Sequence, residues 1–230
     1  VVGTYGPHFP YIAPPDYFTL YDGKISAPAS WNSEDKDPNP LVDAKRQRTR
    51  QSPADGNRVP VDEPFVLAAR AAYFGMITEQ DRLVGAVRDR WEAYLRRTKH
   101  KGVFAYSSDH GDTCGEHGLF GKQTFYEGSL RIPMLFEGDG IPAGQRITTP
   151  VSIMDIGPTL CELAGGSPPP NQDGVSLVSS LTSDTQNGDD RPILAEWVQF
   201  FEGQTVAGRM IRQGTWKLMH FNHPDMPDQL

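Results

Sequence analysis

The sequence predicts an α/β fold: a mixed, mostly parallel sheet flanked by helices, with a small antiparallel subdomain at the C-terminal end. Three observations carry this expectation. Residues 65–97 place Leu67, Ala71, Phe74, Ile77, Leu83, Val87, Trp91 and Leu95 near helical spacing. Directly after them, Gly102-Val-Phe-Ala-Tyr106 is a short apolar segment that stops abruptly at Asp109-His110-Gly111, as a buried strand does at a sheet edge. Near the C-terminus, 193–199, 206–212 and 215–221 read as strands, the last two joined by a turn at Gln213-Gly214.

The elements follow in order. Residues 1–62 are punctuated by nine prolines from Pro7 to Pro60 and are expected to form an irregular, wrapping or functional loop. Asp62-Glu63-Pro64 supplies the acidic residues and proline of a helix start. The helix that follows is one long element or two with a break between Gly75 and Glu79. It ends on a basic turn (Arg96, Arg97, Lys99, Lys101) and Gly102. The strand 103–107 comes next, then a loop, a short helix over 126–130 and a strand over 132–136. A helix over 152–164 is stopped by Gly165-Gly166. Pro168-Pro-Pro170 links it to a helical turn at 175–181, and the polar stretch 183–190 marks a boundary. Two domains are expected: 1–182 as part of a main α/β domain, and 183–230 as the start of the antiparallel subdomain.

Composition narrows the partners. The chain has 230 residues, 37% hydrophobic, with 22 basic and 29 acidic residues and a net charge of −7. No basic face suited to nucleic acid dominates. The richest basic stretch, Lys45-Arg-Gln-Arg-Thr-Arg50, reads as a solvated loop. Mean hydropathy is −0.49, and no window reaches the roughly 20 apolar residues of a membrane span. Cys114 and Cys161 read as unpaired structural thiols. Localisation and self-association stay open.

Chemistry concentrates after the central strand. Asp109 and His110 put a hard oxygen ligand beside an imidazole at the carboxyl end of that strand, where ligands bind in open α/β sheets. Such a pair can hold a divalent cation, and Lys122 downstream can reach an anion held on it. These residues point to metal-assisted chemistry on an anionic ester. Their neighbours have plainer readings: Asp112 caps the loop, and Glu116 and His117 shape it. His220 and His223 read as surface residues, and Trp91, Trp216, Phe200 and Phe201 as core.

Ser108-Asp-His-Gly-Asp112, Gly115-Glu-His-Gly118, Gly121-Lys122 and Tyr126-Glu-Gly-Ser-Leu-Arg-Ile-Pro133 together resemble the C-terminal signature region of the sulfatases. Pro7-His8-Phe-Pro10 upstream, and Thr149 to Leu160 with Asp173-Gly-Val-Ser-Leu177 downstream, extend the resemblance in the right order over most of the chain. The resemblance implies an alkaline-phosphatase-like fold and a metal-dependent hydrolase of sulfate monoesters. It assigns Asp109 and His110 to the metal, and His8 and Lys122 to the catalytic contacts with the anionic head and leaving oxygen. Ca²⁺ is the cation implied first, with Mg²⁺ or Mn²⁺ as alternatives. His at position 110, where many sulfatases have Asn, resembles the choline-sulfatase and phosphonate-monoester-hydrolase branch.

The family's nucleophile motif, C/S-x-P/A-S-R with its Cys converted to formylglycine, does not occur in these residues. Nor do the family's first paired acidic metal ligands. The chain is therefore expected to be the C-terminal portion of an enzyme, inactive alone, with the nucleophile outside it. The expected partner is a small-molecule or carbohydrate sulfate ester. Two alternatives stand beside this: hydrolysis of phosphonate monoesters or phosphodiesters, and a non-catalytic homologue that binds an anionic glycan.

Overall fold

The computed structural model describes residues 1–32, 37, 39–51, 53–54, 57–58, 61–183 and 191–230. Most of the expected boundary stretch, 184–190, lies outside the described residues, as do parts of the proline-rich stretch before residue 61. The chain divides into two compact units. One comprises Val1–Arg97 and His110–Arg131, the other Thr98–Asp109 and Ile132–Leu230.

The first unit is organised on α3, Glu63–Thr98, a single helix without a break. Asp62 caps its start, accepting the Phe65 N–H at 3.0 Å. Of the two readings left open, one helix or two with a break between Gly75 and Glu79, the single helix holds, and Gly75 lets two segments touch: a Cβ there would lie 3.0 Å from both Ala13 Cβ and the Tyr17 carbonyl. The N-terminal segment wraps over α3 as expected. Its Tyr21 hydroxyl meets Thr78 Oγ1 at 2.6 Å, and the rings of Tyr11 and Tyr73 cross at 80°. Leu41, Val42, Val66, Ala69, Ala71, Ala72, Met76, Cys114, Leu119 and Phe125 form this unit's core.

Two segments within 1–62 are helical rather than irregular: α1, Pro15–Phe18, and α2, Pro40–Gln51. Asn39 caps α2 by accepting the Leu41 N–H at 3.0 Å, and Pro40 opens it. A two-residue ladder, β1 (Pro53–Ala54) with β2 (Asn57–Arg58), follows. The basic stretch is thus largely helix, not loop. Arg46 is only 8% exposed, its guanidinium paired with Asp43 and with the His117 carbonyl.

In the second unit β3, Val103–Ser107, pairs with β4, Met134–Gly138. The pairing is antiparallel, as are all ladders among the described residues, so the mostly parallel sheet is not what these strands form. The cause is the connection. Residues 108–133 return the chain alongside β3 in the opposite sense, whereas a parallel partner needs a crossover onto the sheet. The two ends are stitched by the Gly102 N–H donating to Asp139 and by Ser107 Oγ donating to the Pro133 carbonyl. Short helix α4, Glu127–Leu130, closes the connection in the first unit.

A turn of 3-10 helix, Ile153–Asp155, runs into α5, Ile156–Leu163, which ends as expected at Gly165. Asp155 is fully buried and holds three separate segments. It accepts the N–H of Ser152 (2.8 Å) and of Val175 (2.9 Å), and the Arg191 guanidinium. Thr159 passes the tie onward, donating to the Asp155 carbonyl and accepting the Leu177 N–H just before α6, Val178–Thr182.

Strands β5 (Ile193–Phe201), β6 (Gln204–Gln213) and β7 (Trp216–Phe221) form the antiparallel C-terminal sheet. Its first hairpin turns on Glu202-Gly203, both with positive φ (47° and 84°), as a tight primed turn requires. Phe201, Val206, Met210 and Phe221 line its buried face. Phe200 (70% exposed) and Trp216 (69%) lie on the other face rather than in the core. Alternation explains it: Phe201 takes the inward position, so Phe200 faces out. His223, expected at the surface, is 7% exposed against the Phe201 ring.

Two measurements check this account. Asp155→Ala leaves a guanidinium and two N–H groups without their acceptor, and should cost about 3 kcal/mol in denaturant unfolding; a loss under about 1 kcal/mol would contradict the tie. Glu202→Asn, which suits a positive φ, should stabilise by a few tenths to about 1 kcal/mol.

Candidate active site

The functional loop begins where β3 ends and is closed at its base by glycine. The Gly111 N–H donates to the Ser129 carbonyl at 2.8 Å. A Cβ on Gly111 would sit 2.2 Å from the Gly128 carbonyl oxygen, so only glycine fits. Within the loop the Thr113 N–H (2.8 Å) and hydroxyl (3.0 Å) both donate to the Gly121 carbonyl. Residues 115–119 coil tightly, with His117 left-handed (φ 54°). His117 is held by its N–H on Ser30 Oγ, by Arg46 on its carbonyl, and by its ring stacked on Tyr126 at 4.1 Å. The Tyr126 hydroxyl donates in turn to Asp37. His117 thus shapes the loop.

Asp112 ties the inside of the loop together. One carboxylate oxygen accepts the N–H groups of Cys114 (2.8 Å) and Gly121 (3.0 Å), and the Tyr11 hydroxyl lies 2.9 and 2.8 Å from the two oxygens. The N-terminal segment, through Tyr11, and two points of the loop nine residues apart, Asp112 and Gly121, meet on one carboxylate.

Lys122 projects from a backbone fixed on both sides. Gly121 and Gln123 are left-handed (φ 81° and 71°), and the Lys45 ammonium donates to the Gln123 carbonyl at 2.5 Å. Its own Nζ lies 2.9 Å from His8 Nε2 and over the Phe9 ring. An ammonium only donates, so His8 Nε2 accepts, and its proton sits on Nδ1, 2.7 Å from the Phe9 carbonyl. The His110 ring lies 6.4 Å from that of His8. His110 Nδ1 is 2.8 Å from the Gly111 carbonyl, which can only accept, so Nδ1 carries the proton and Nε2 the lone pair.

The surroundings are low in dielectric. Burial, reinforced by the Asp112 charge, pushes the Tyr11 hydroxyl far above the usual phenol range. Burial and the same carboxylate raise the Cys114 thiol to about 12. Burial, then the Arg46 charge, lowers His117, while burial and the bond to Asp37 raise Tyr126. All four effects favour the neutral form.

The structure thus brings together three of the four residues singled out in the sequence. His8, His110 and Lys122 lie in the first unit, while Asp109 is the last residue of the second unit's 98–109 segment and precedes His110 in the chain. Asp109 and His110 are ligands of the right type for a divalent cation, and the Nδ1 bond to a backbone carbonyl is the usual support for an imidazole that ligates through Nε2. Ca²⁺ takes about six to eight oxygens, and among the described residues no group of three or more His, Cys, Asp or Glu is arranged to hold a metal ion. Sequence reasoning placed Asp112 correctly in the loop but missed Tyr11, whose only signal was a tyrosine three residues after His8.

Comparison with known proteins identifies the family. The Sulfatase family profile matches residues 1–167, and that of the N-sulphoglucosamine sulphohydrolase C-terminal region matches 115–228. The chain belongs to the sulfatase family. It is 35% identical over 224 residues to a choline-sulfatase of Rhizobium meliloti, covering 93% of this chain and 40% of that protein. It is also 35% identical over 164 residues to mouse (Mus musculus) arylsulfatase K, covering 66% of this chain and 28% of that protein. Among solved structures, a phosphonate monoester hydrolase from Silicibacter pomeroyi superposes with a TM-score of 0.79 at 23% identity, over 96% of this chain and 47% of that one. BT4656, in complex with its substrate D-glucosamine-2-N,6-O-disulfate, gives 0.70 at 18% identity, over 97% and 56%. These likenesses establish an alkaline-phosphatase-like fold. The chain spans about half or less of the length of most of the proteins it matches.

Gly111→Ala should force the base of the loop open, costing at least about 1–3 kcal/mol and removing hydrogen-exchange protection from the residue-111 N–H. Retained protection would contradict the tight approach to Gly128.

Proposed function

We propose that this chain supplies the anion-holding and leaving-group side of a metal-dependent sulfate monoester hydrolase. The contact that carries the reading is Lys122 Nζ on His8 Nε2 at 2.9 Å, with the His110 ring alongside. Expelling an alkoxide from sulfur requires charge or a proton at the bridging oxygen. The Lys122 ammonium provides the charge and the proton for the departing oxygen, and His8, holding its Nδ1 proton against the Phe9 carbonyl, keeps Nε2 as an acceptor that orients the ammonium. Likeness to a choline-sulfatase, 35% identical in an alignment that covers 93% of the chain, supports the sulfate reading.

Asp109 and His110 would hold the cation, Ca²⁺ first, with Mg²⁺ or Mn²⁺ as alternatives. When bound, it withdraws charge from the sulfuryl oxygens. The nucleophile, a formylglycine or Ser in the family motif, belongs outside these 230 residues. Within the whole enzyme, residues 1–182 belong to the main α/β domain, with β3 and β4 part of a larger, mostly parallel sheet. Residues 183–230 open the antiparallel subdomain. The alcohol half is a small molecule or carbohydrate. A second reading, phosphonate monoester hydrolysis, rests on His rather than Asn at position 110, a feature of the branch that holds both choline-sulfatases and phosphonate monoester hydrolases. Both esters present a tetrahedral monoanion to the same lysine.

The test assays the complete enzyme on matched sulfate and phosphonate monoesters with Ca²⁺ or Mn²⁺. Lys122→Ala should lower kcat/KM about 100-fold or more, and chelation or Asp109→Ala should abolish turnover. Wild-type turnover no greater than that of Asp109→Ala on every ester would sink the assignment.

A further inference from the structure

We propose that Tyr11 and Asp112 are positioning residues for the His8–Lys122 pair, a role that rests on the function proposed above. Both members of the pair hang from short backbone stretches that end on this one contact. His8 lies three residues before Tyr11, whose hydroxyl reaches both Asp112 oxygens. Lys122 follows Gly121, whose N–H donates to the same carboxylate at 3.0 Å. The carboxylate is two residues past His110 in the chain. Movement of either stretch therefore alters the 2.9 Å separation of His8 Nε2 and Lys122 Nζ.

The contact is built to be rigid. Tyr11 packs against the rings of Phe120 (5.9 Å) and Tyr73 (5.7 Å). Burial keeps its hydroxyl protonated, so it remains a donor. The remaining support of Asp112 is backbone N–H, which no side-chain change removes. By contrast, the Lys122 and His8 side chains are only half-buried. Their mutual geometry is set from behind by the tyrosine–carboxylate tie, and the chemistry of a leaving oxygen is sensitive to ångström-scale misplacement.

Tyr11→Phe removes the tie and keeps the ring. In the ¹⁵N-histidine-labelled protein, the His8 Nε2 resonance should move toward its position in Lys122→Met. An unmoved resonance in a folded Tyr11→Phe protein overturns the proposal. In the complete enzyme, Tyr11→Phe should lower kcat on an alkyl sulfate about tenfold or more, while an ester with a nitrophenyl leaving group, which needs little help, loses clearly less. An equal loss on both esters, as general destabilisation would give, also overturns it. If Tyr11→Phe fails to fold, Asp112→Asn, which keeps one acceptor oxygen, takes its place with the same expected and overturning results. A wild-type enzyme without ester turnover would refute the proposed function, while the resonance of His8 still decides the positioning role.

Discussion

Two glycine backbones meeting at the base of the loop after β3 are the constraint on which the rest of the site depends. Gly111 and Gly128 approach so closely that neither a side chain nor a displaced carbonyl fits between them. Their contact closes residues 112–127 into a ring pinned at its neck. Inside that ring short local anchors, Thr113 on Gly121, Gly115 on Leu119, and Asp112 on Cys114 and Gly121, combine with distant ones from Tyr11, Ser30, Lys45 and Arg46. A closed neck removes most of the conformational freedom the loop would otherwise lose on ordering its lysine. The ring gives Lys122 a rigid mount without placing it on a helix or strand.

Four of the chain's aspartates serve as scaffolding. Asp62 caps α3, Asp112 gathers the loop, Asp139 stitches β3 to β4, and Asp155 binds three segments of the second unit. In each case a carboxylate replaces the missing partner of backbone N–H groups where regular structure stops. This suits a protein with 20 prolines and 23 glycines, whose irregular stretches carry many orphan donors. These four carboxylates hold backbone, whereas Asp109 is the one for which a role in the chemistry is proposed.

Much of this was legible in the sequence because it depends on local pattern. The long helix follows from apolar spacing and its Asp62 start, and the Asp-His-Gly turn from an apolar run ending in hard ligands. Helix α2 escaped although its signal, Asn39 before Pro40, was present. Its basic composition hid a buried arginine, one of whose partners, the His117 carbonyl, lies 71 residues away. The roles of Tyr11 and Asp155 were not legible for the same reason: each depends on partners brought together by tertiary folding. The antiparallel sense of the β3–β4 pair was not legible, because the apolar composition of β3 does not say which strand lies beside it or in which direction. Phe200 and Trp216 show the matching limit on the sheet, where hydrophobicity alone does not choose a face.

The two cysteines, neither in a disulfide, differ in a way that can be put to use. Cys114 lies inside the ring, 5% exposed, with its thiol raised to about 12. At pH 8 only about one in ten thousand such groups is thiolate, the form that alkylating reagents attack. Cys161, half-exposed on α5, offers no such barrier of access. Once Cys161 is capped, slow incorporation of a second label becomes a clock for the opening of the loop that carries Lys122.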